Sequence, residues 1–132
     1  MKGTRRMTSN PAEWMRQADY DMETAAVLMR EKRFIYTIFL SHLAIEKALK
    51  GLYIKLNTIE PPKTHSLIHL VELLELTLPE KLHESVFILN RVSIPTRYPS
   101  DIDELLGTYD EERTRQLFTA AQEVIRWLKS KY

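Results

Sequence analysis

The feature that most constrains this chain is the segment from about Phe34 to Leu56. Ile35, Ile38, Phe39, Leu43, Ile45, Leu49, Leu52, Tyr53 and Leu56 recur there at three- and four-residue steps and cover more than one stripe of a helix. A helix apolar around so much of its circumference has to be enclosed by several neighbours, or by neighbours and a partner subunit. It therefore predicts an all-α protein with this helix at its centre. Its charges gather at Glu46, Lys47 and Lys50, where Glu46 and Lys50 form an i,i+4 pair.

The rest of the chain has the same period. Asn10-Pro11-Ala12-Glu13 predicts a helix start, with Asn10 as cap, Pro11 in the first turn and Glu13 closing a capping box. Trp14, Ala18, Met22, Ala25, Ala26 and Met29 then mark a helix running to about Arg30. Pro61-Pro62 predicts a loop over 57–63, after which Thr64 or Ser66 caps a third helix bearing Leu67, Leu70, Val71, Leu74 and Leu78. Pro79 opens a fourth with Leu82, Val86 and Leu89, and the two prolines of 93–99 are expected to break regularity. A short helix over 100–106 and a capping-box pattern at Thr108–Glu111 precede the last helix, which carries Leu117, Phe118, Ala121, Val124, Ile125 and Leu128. No segment alternates with a period of two. The expected fold is an up-and-down helical bundle of about five helices, with an irregular insert before the last. Residues 1–10 read as a basic N-terminal extension and 11–132 as one domain.

Composition narrows the chemistry. The 132 residues include no cysteine and three glycines, which excludes thiol nucleophiles, Cys-ligated metals and glycine-rich phosphate loops. No run approaches the length of a membrane span, and no apolar stretch follows Lys2, Arg5 and Arg6 to form a secretion signal, so the cytoplasm is the expected location. The balance of 19 basic against 18 acidic residues hides an asymmetry. Residues 1–66 carry eleven positive and seven negative charges, and residues 67–132 carry eight and eleven. A local basic cleft built from Lys47, Lys50, Lys63, Arg91 and Arg97 is compatible with this; a diffuse polyanion binder is not.

Two constellations could carry function. His65 and Arg97 supply an imidazole and a guanidinium, the groups that metal-free RNA cleavage needs to move a proton and hold phosphorane charge. With Lys63 and Thr64 they could instead hold a phosphate near the third helix start, and Tyr98 could stack on a base. Equally, Thr64 and His65 could cap a helix, Arg97 could pair with an acid, and Tyr98-Pro99 could pack a loop. The second constellation is His42, Glu46, Lys47 and Lys50, where His42 and Glu46 share a helix face. It fits a buried polar network or a dimer contact. A metal would need a third ligand from His69 or His83, and no metal or other cofactor is expected.

Four stretches in order resemble the HEPN family of small all-α domains. These are Trp14 to Asp21 with Ala25-Ala26, Phe39 to Lys50 (FLSHLAIEKALK), Lys63-Thr64-His65-Ser66-Leu67, and Arg97-Tyr98-Pro99. The resemblance implies a helical bundle that is often dimeric. It also implies RNA or nucleotide recognition and a minimal nucleotidyltransferase as partner in a two-component, toxin–antitoxin-like system. Some members are metal-independent RNases marked by Arg and His separated by four to six residues. That motif is absent: the corresponding positions after Arg97 are Ile102, Asp103 and Glu104, and after Arg91 they are Thr96, Arg97 and Tyr98. The resemblance therefore implies binding rather than catalysis, with a structural dimerisation module or a degenerate RNase using His65 and Arg97 as the alternatives.

Overall fold

The structure, a computed structural model, describes residues 10–132. Apart from Asn10, the expected basic extension lies outside the described residues. Among the described residues there are six helices, against the expected about five: α1 (Pro11–Arg30), α2 (Phe34–Asn57), α3 (Leu67–Leu73), α4 (Glu80–Arg97), α5 (Ile102–Thr108) and α6 (Glu111–Lys129). Among the described residues there is no strand, and no helix is long and apolar enough to cross a membrane.

α2 is the hub. It packs on α1, α3, α4 and α6, and Ile38, Ala44, Ile45, Ala48, Leu49 and Leu52 are almost completely buried. Enclosing a leucine or isoleucine to this degree is worth about 2 kcal/mol each. Most of the apolar circumference of α2 is thus enclosed within the chain, with Phe39, Leu40, Leu43 and Tyr53 half-buried. Exposed large apolar groups remain on it only near its ends, at Tyr36 and Leu56. From α1, Met15, Ala18, Ala25 and Met29 are buried and Met22 packs partly buried against the same core, so three methionines seven residues apart form a core seam. α6 closes the far side with Leu117, Ala121, Val124, Ile125 and Leu128.

Local chemistry sets the boundaries. Asn10 Oδ1 accepts from the Ala12 and Glu13 amides at 3.0 and 3.3 Å, while the Glu13 carboxylate accepts from Arg16 and Gln17. Ser66, not Thr64, caps α3 by accepting from the His69 amide at 3.1 Å. Asp110 caps α6 by accepting from the Arg113 amide at 2.9 Å, and Thr108 ends α5 with its hydroxyl bonded to the Glu104 carbonyl.

The largest departure from expectation is α4, which continues through Pro95 to Arg97. Proline cannot donate to the carbonyl four residues back, but that residue, Arg91, is exposed and water can take the bond. The following turn is reinforced by Thr96 Oγ1, which donates to the Val92 carbonyl at 2.7 Å. This extra helical turn carries Arg97 back towards α2.

Candidate functional site

His42, Glu46 and Lys50 follow one another at four-residue steps and form a single line along α2. His42 is fully enclosed, and neither ring nitrogen has a hydrogen-bond partner. Burial drives its pKa down to about 4. Glu46, whose Oε1 lies 3.9 Å from His42 Nδ1, opposes the shift, Arg97 adds to it, and the His65 backbone carbonyl weakly opposes it. His42 is therefore a neutral imidazole at pH 7.

Glu46 is also buried and gathers its neighbours. Lys50 Nζ donates to Oε2 at 3.0 Å, and His65 Nδ1 donates to Oε2 and Oε1 at 3.1 and 3.2 Å. A carboxylate on Nδ1 fixes the tautomer of a neutral imidazole and leaves Nε2 as the acceptor. The His65 side chain is 64% exposed, so this is an accessible imidazole tethered to a buried anion.

The segment holding His65 is tied down by hydrogen bonds at both ends. Thr64 Oγ1 accepts from the Ser66 amide at 3.1 Å, and the Thr64 amide donates to the Pro62 carbonyl. Asn90 of α4 accepts from the Leu67 amide at 2.7 Å, which pins the start of α3 to α4.

Arg97, in the last turn of α4, completes the cluster. Its guanidinium carbon lies 4.8 Å from the centroid of the Phe39 ring. Its Nη2 is buried without a hydrogen-bond partner, and among the described residues no carboxylate pairs with it. Glu46 offsets Lys50, and the Arg97 charge is left over. The cluster around His42 thus holds an uncompensated cation, Arg97, and an exposed imidazole, His65.

The HEPN domain profile matches residues 11–131. The chain belongs to the HEPN domain family. Among solved structures, this HEPN domain is similar to TT1696 from Thermus thermophilus, at 25% identity and a TM-score of 0.78 over 92% of this chain and 98% of that one. It is also similar to ST0689, an archaeal HEPN homologue, at 27% identity and a TM-score of 0.73 over 92% of this chain and 96% of that one. No curated protein matches the chain.

The two constellations read from sequence merge in the HEPN fold. Glu46 joins His42 and Lys50 to His65, and Arg97 acts on His42. Lys47 separates from them: it points to α1, where its Nζ lies 2.9 Å from Asp21 Oδ2. Lys63 is exposed beside His65 in sequence, Tyr98 is 75% exposed next to Arg97, and Arg91 lies 6.0 Å over the Phe87 ring. The five cations named as a basic patch are thus dispersed, two of them neutralised by carboxylates. His69 and His83 are exposed, and among the described residues no group of three or more His, Asp or Glu could hold a metal. A cleft of about 480 Å³ between α4 and α6 contains none of the sequence-predicted site residues.

Three contributors escaped sequence reasoning. Asp21 lies within the family-like first stretch but looks like any surface acid. Phe39 reads as core, and Asn90 carries no motif.

Proposed function

We propose that this HEPN domain binds RNA or nucleotides through phosphate contacts from His65 and Arg97. The observation that carries the reading is that His65, tethered to Glu46, and Arg97, a cation that no carboxylate neutralises among the described residues, both act on the buried His42. A phosphate ester supplies the missing negative charge and accepts hydrogen bonds from both groups. Exposed Lys63 and the capped turn at Thr64 flank the same segment, and Tyr98 offers an uncovered ring for a base. In this reading residues 11–132 act as one domain in the cytoplasm. Its partners are a second copy of the chain and a minimal nucleotidyltransferase, as in two-component toxin–antitoxin pairs.

A second reading is favoured by one observation. A buried carboxylate holding Nδ1 of an exposed histidine is the arrangement that prepares Nε2 for proton transfer. With Arg97 holding phosphorane charge, the site would be a metal-independent RNase lacking the usual Arg–His spacing.

Fluorescence anisotropy with a short labelled oligoribonucleotide, and competition by mononucleotides, tests the first reading. Arg97→Ala and His65→Ala should each weaken binding by about tenfold, the scale of a lost charge-assisted hydrogen bond. Equal affinity for wild type and both variants would remove these residues from recognition. A cleavage assay on the same RNA tests the second: product must form with wild type and disappear with His65→Ala.

A further inference from the structure

A cavity of about 260 Å³ lies between the start of α2 and α5. Phe34, Ile35 and Tyr36 line it from α2, and Ile102 and Leu106 from α5. Tyr36, Ile102 and Leu106 are 61%, 56% and 41% exposed, so apolar surface that the chain leaves uncovered converges on this one place. Two aromatic rings and three aliphatic groups around so small a space suit a single flat heterocycle, since drug-sized ligands take about 300–1,000 Å³.

The position of the cavity ties it to the phosphate site. Ile35, Phe39, His42 and Glu46 follow one another at four-, three- and four-residue steps along one side of α2. Ile35 is one turn, about 6 Å along the axis, from Phe39, whose ring carries the Arg97 guanidinium. In the opposite wall Ile102 follows Arg97 by five residues, and α5 packs on α2. Both walls therefore lead to Arg97, at a separation that one nucleotide spans.

Charge decides what can enter. Lys32 and Arg33 also line the cavity. Lys32 Nζ lies 3.8 Å from Glu111 Oε1, whereas Arg33 has no carboxylate partner among the described residues. Against these two cations stand Glu111 and, at the start of α5, Asp101, Asp103 and Glu104. A second phosphate would meet that acidic edge, but an uncharged base would not. Arg33 is then the free polar side chain for the base edge. A guanidinium pairs bidentately with O6 and N7 of guanine, whereas adenine presents a donor in place of O6. Stacking on the exposed Tyr98 ring tolerates any base; pairing with Arg33 does not.

We propose that this cavity is a guanine subsite, resting on the phosphate contacts proposed above. The base enters among Tyr36, Ile102 and Leu106, Arg33 pairs with its O6 and N7, and Arg97 holds the attached phosphate.

Calorimetric titration of the full chain with guanosine monophosphate, adenosine monophosphate and ribose 5-phosphate tests the subsite. Guanosine monophosphate should bind at least about tenfold more tightly than ribose 5-phosphate, the scale of one stacked base, and about fivefold more tightly than adenosine monophosphate. Leu106→Trp fills the cavity and should bring guanosine monophosphate down to the affinity of ribose 5-phosphate, which itself stays unchanged. Arg33→Ala should abolish the preference over adenosine monophosphate. Both positions are exposed, so far-UV circular dichroism and melting should match wild type. Equal affinity of wild type for guanosine monophosphate and ribose 5-phosphate, or no effect of Leu106→Trp, would overturn the subsite. A guanine preference that survives Arg33→Ala would overturn the pairing with Arg33. Guanosine, which has no phosphate, separates the two proposals. It should shift the Ile102 and Leu106 methyl resonances in wild type and Arg97→Ala alike; unmoved methyls would overturn the subsite and leave the phosphate contacts standing.

Discussion

Lowering the pH from 7 to 5 should destabilise this protein by about 2 kcal/mol through His42 alone. In the unfolded chain a histidine titrates near 6.5, whereas burial holds His42 at about 4 in the fold. As pH falls below 6.5 the unfolded state takes the proton first, so stability is lost between 6.5 and 4 and levels off below that. The full loss approaches about 3 kcal/mol, a large share of the stability of a domain this size. Substituting His42→Leu removes the titrating group while keeping a similar volume. Because neither ring nitrogen has a hydrogen-bond partner, it should change stability at pH 7 by less than about 1 kcal/mol. Urea denaturation of both proteins at pH 7, 6 and 5 provides the comparison, since exposed carboxylates affect the two alike. The wild type should lose about 2 kcal/mol more than the variant by pH 5. Parallel pH profiles would refute the assignment of a buried, neutral His42.

Three further outcomes follow from packing and pairing. Gly51→Ala should cost about 1–3 kcal/mol, because the new methyl would meet Trp14 Cβ at 2.6 Å as well as the Tyr132 hydroxyl. The melting temperature should fall by about 4 °C per kcal/mol, and Tyr132→Ala should not rescue it, since the Trp14 contact is set by the approach of α1. Asn90→Ala leaves the Leu67 amide without its 2.7 Å acceptor, and chemical denaturation should show a loss of about 1–2 kcal/mol. Glu46→Gln strips the counter-charge from Lys50, whose side chain is only 12% exposed, and should destabilise by about 2 kcal/mol in the same assay.

Much of the fold was legible because helix burial writes a periodic signal into sequence. The enclosure of α2 follows from apolar residues on more than one of its stripes, and the seam of Met15, Met22 and Met29 follows from their seven-residue spacing. What stayed hidden depends on contacts between distant elements. The i,i+4 rule finds Glu46 with Lys50, but nothing in the local pattern shows His65, nineteen residues on, donating to the same carboxylate. Lys47 looks like a member of that cluster in sequence, yet one residue turns it about 100° around the helix and onto Asp21 of α1. Pro95 argues for a break at 93–99, but a helix already packed on α2 and α6 absorbs one missing donor opposite the carbonyl of the exposed residue Arg91. That tertiary support is what carries Arg97 to Phe39.

The recognition site is tested most directly by NMR titration of the isotope-labelled protein with a mononucleotide and then a short RNA. Saturable shifts are expected at the His65 ring, the Arg97 side chain and the amides of residues 63–67, with the α4–α6 cleft lined by Leu117 and Ala120 unmoved. Shifts confined to that cleft, or none at His65 and Arg97 at saturation, would contradict it.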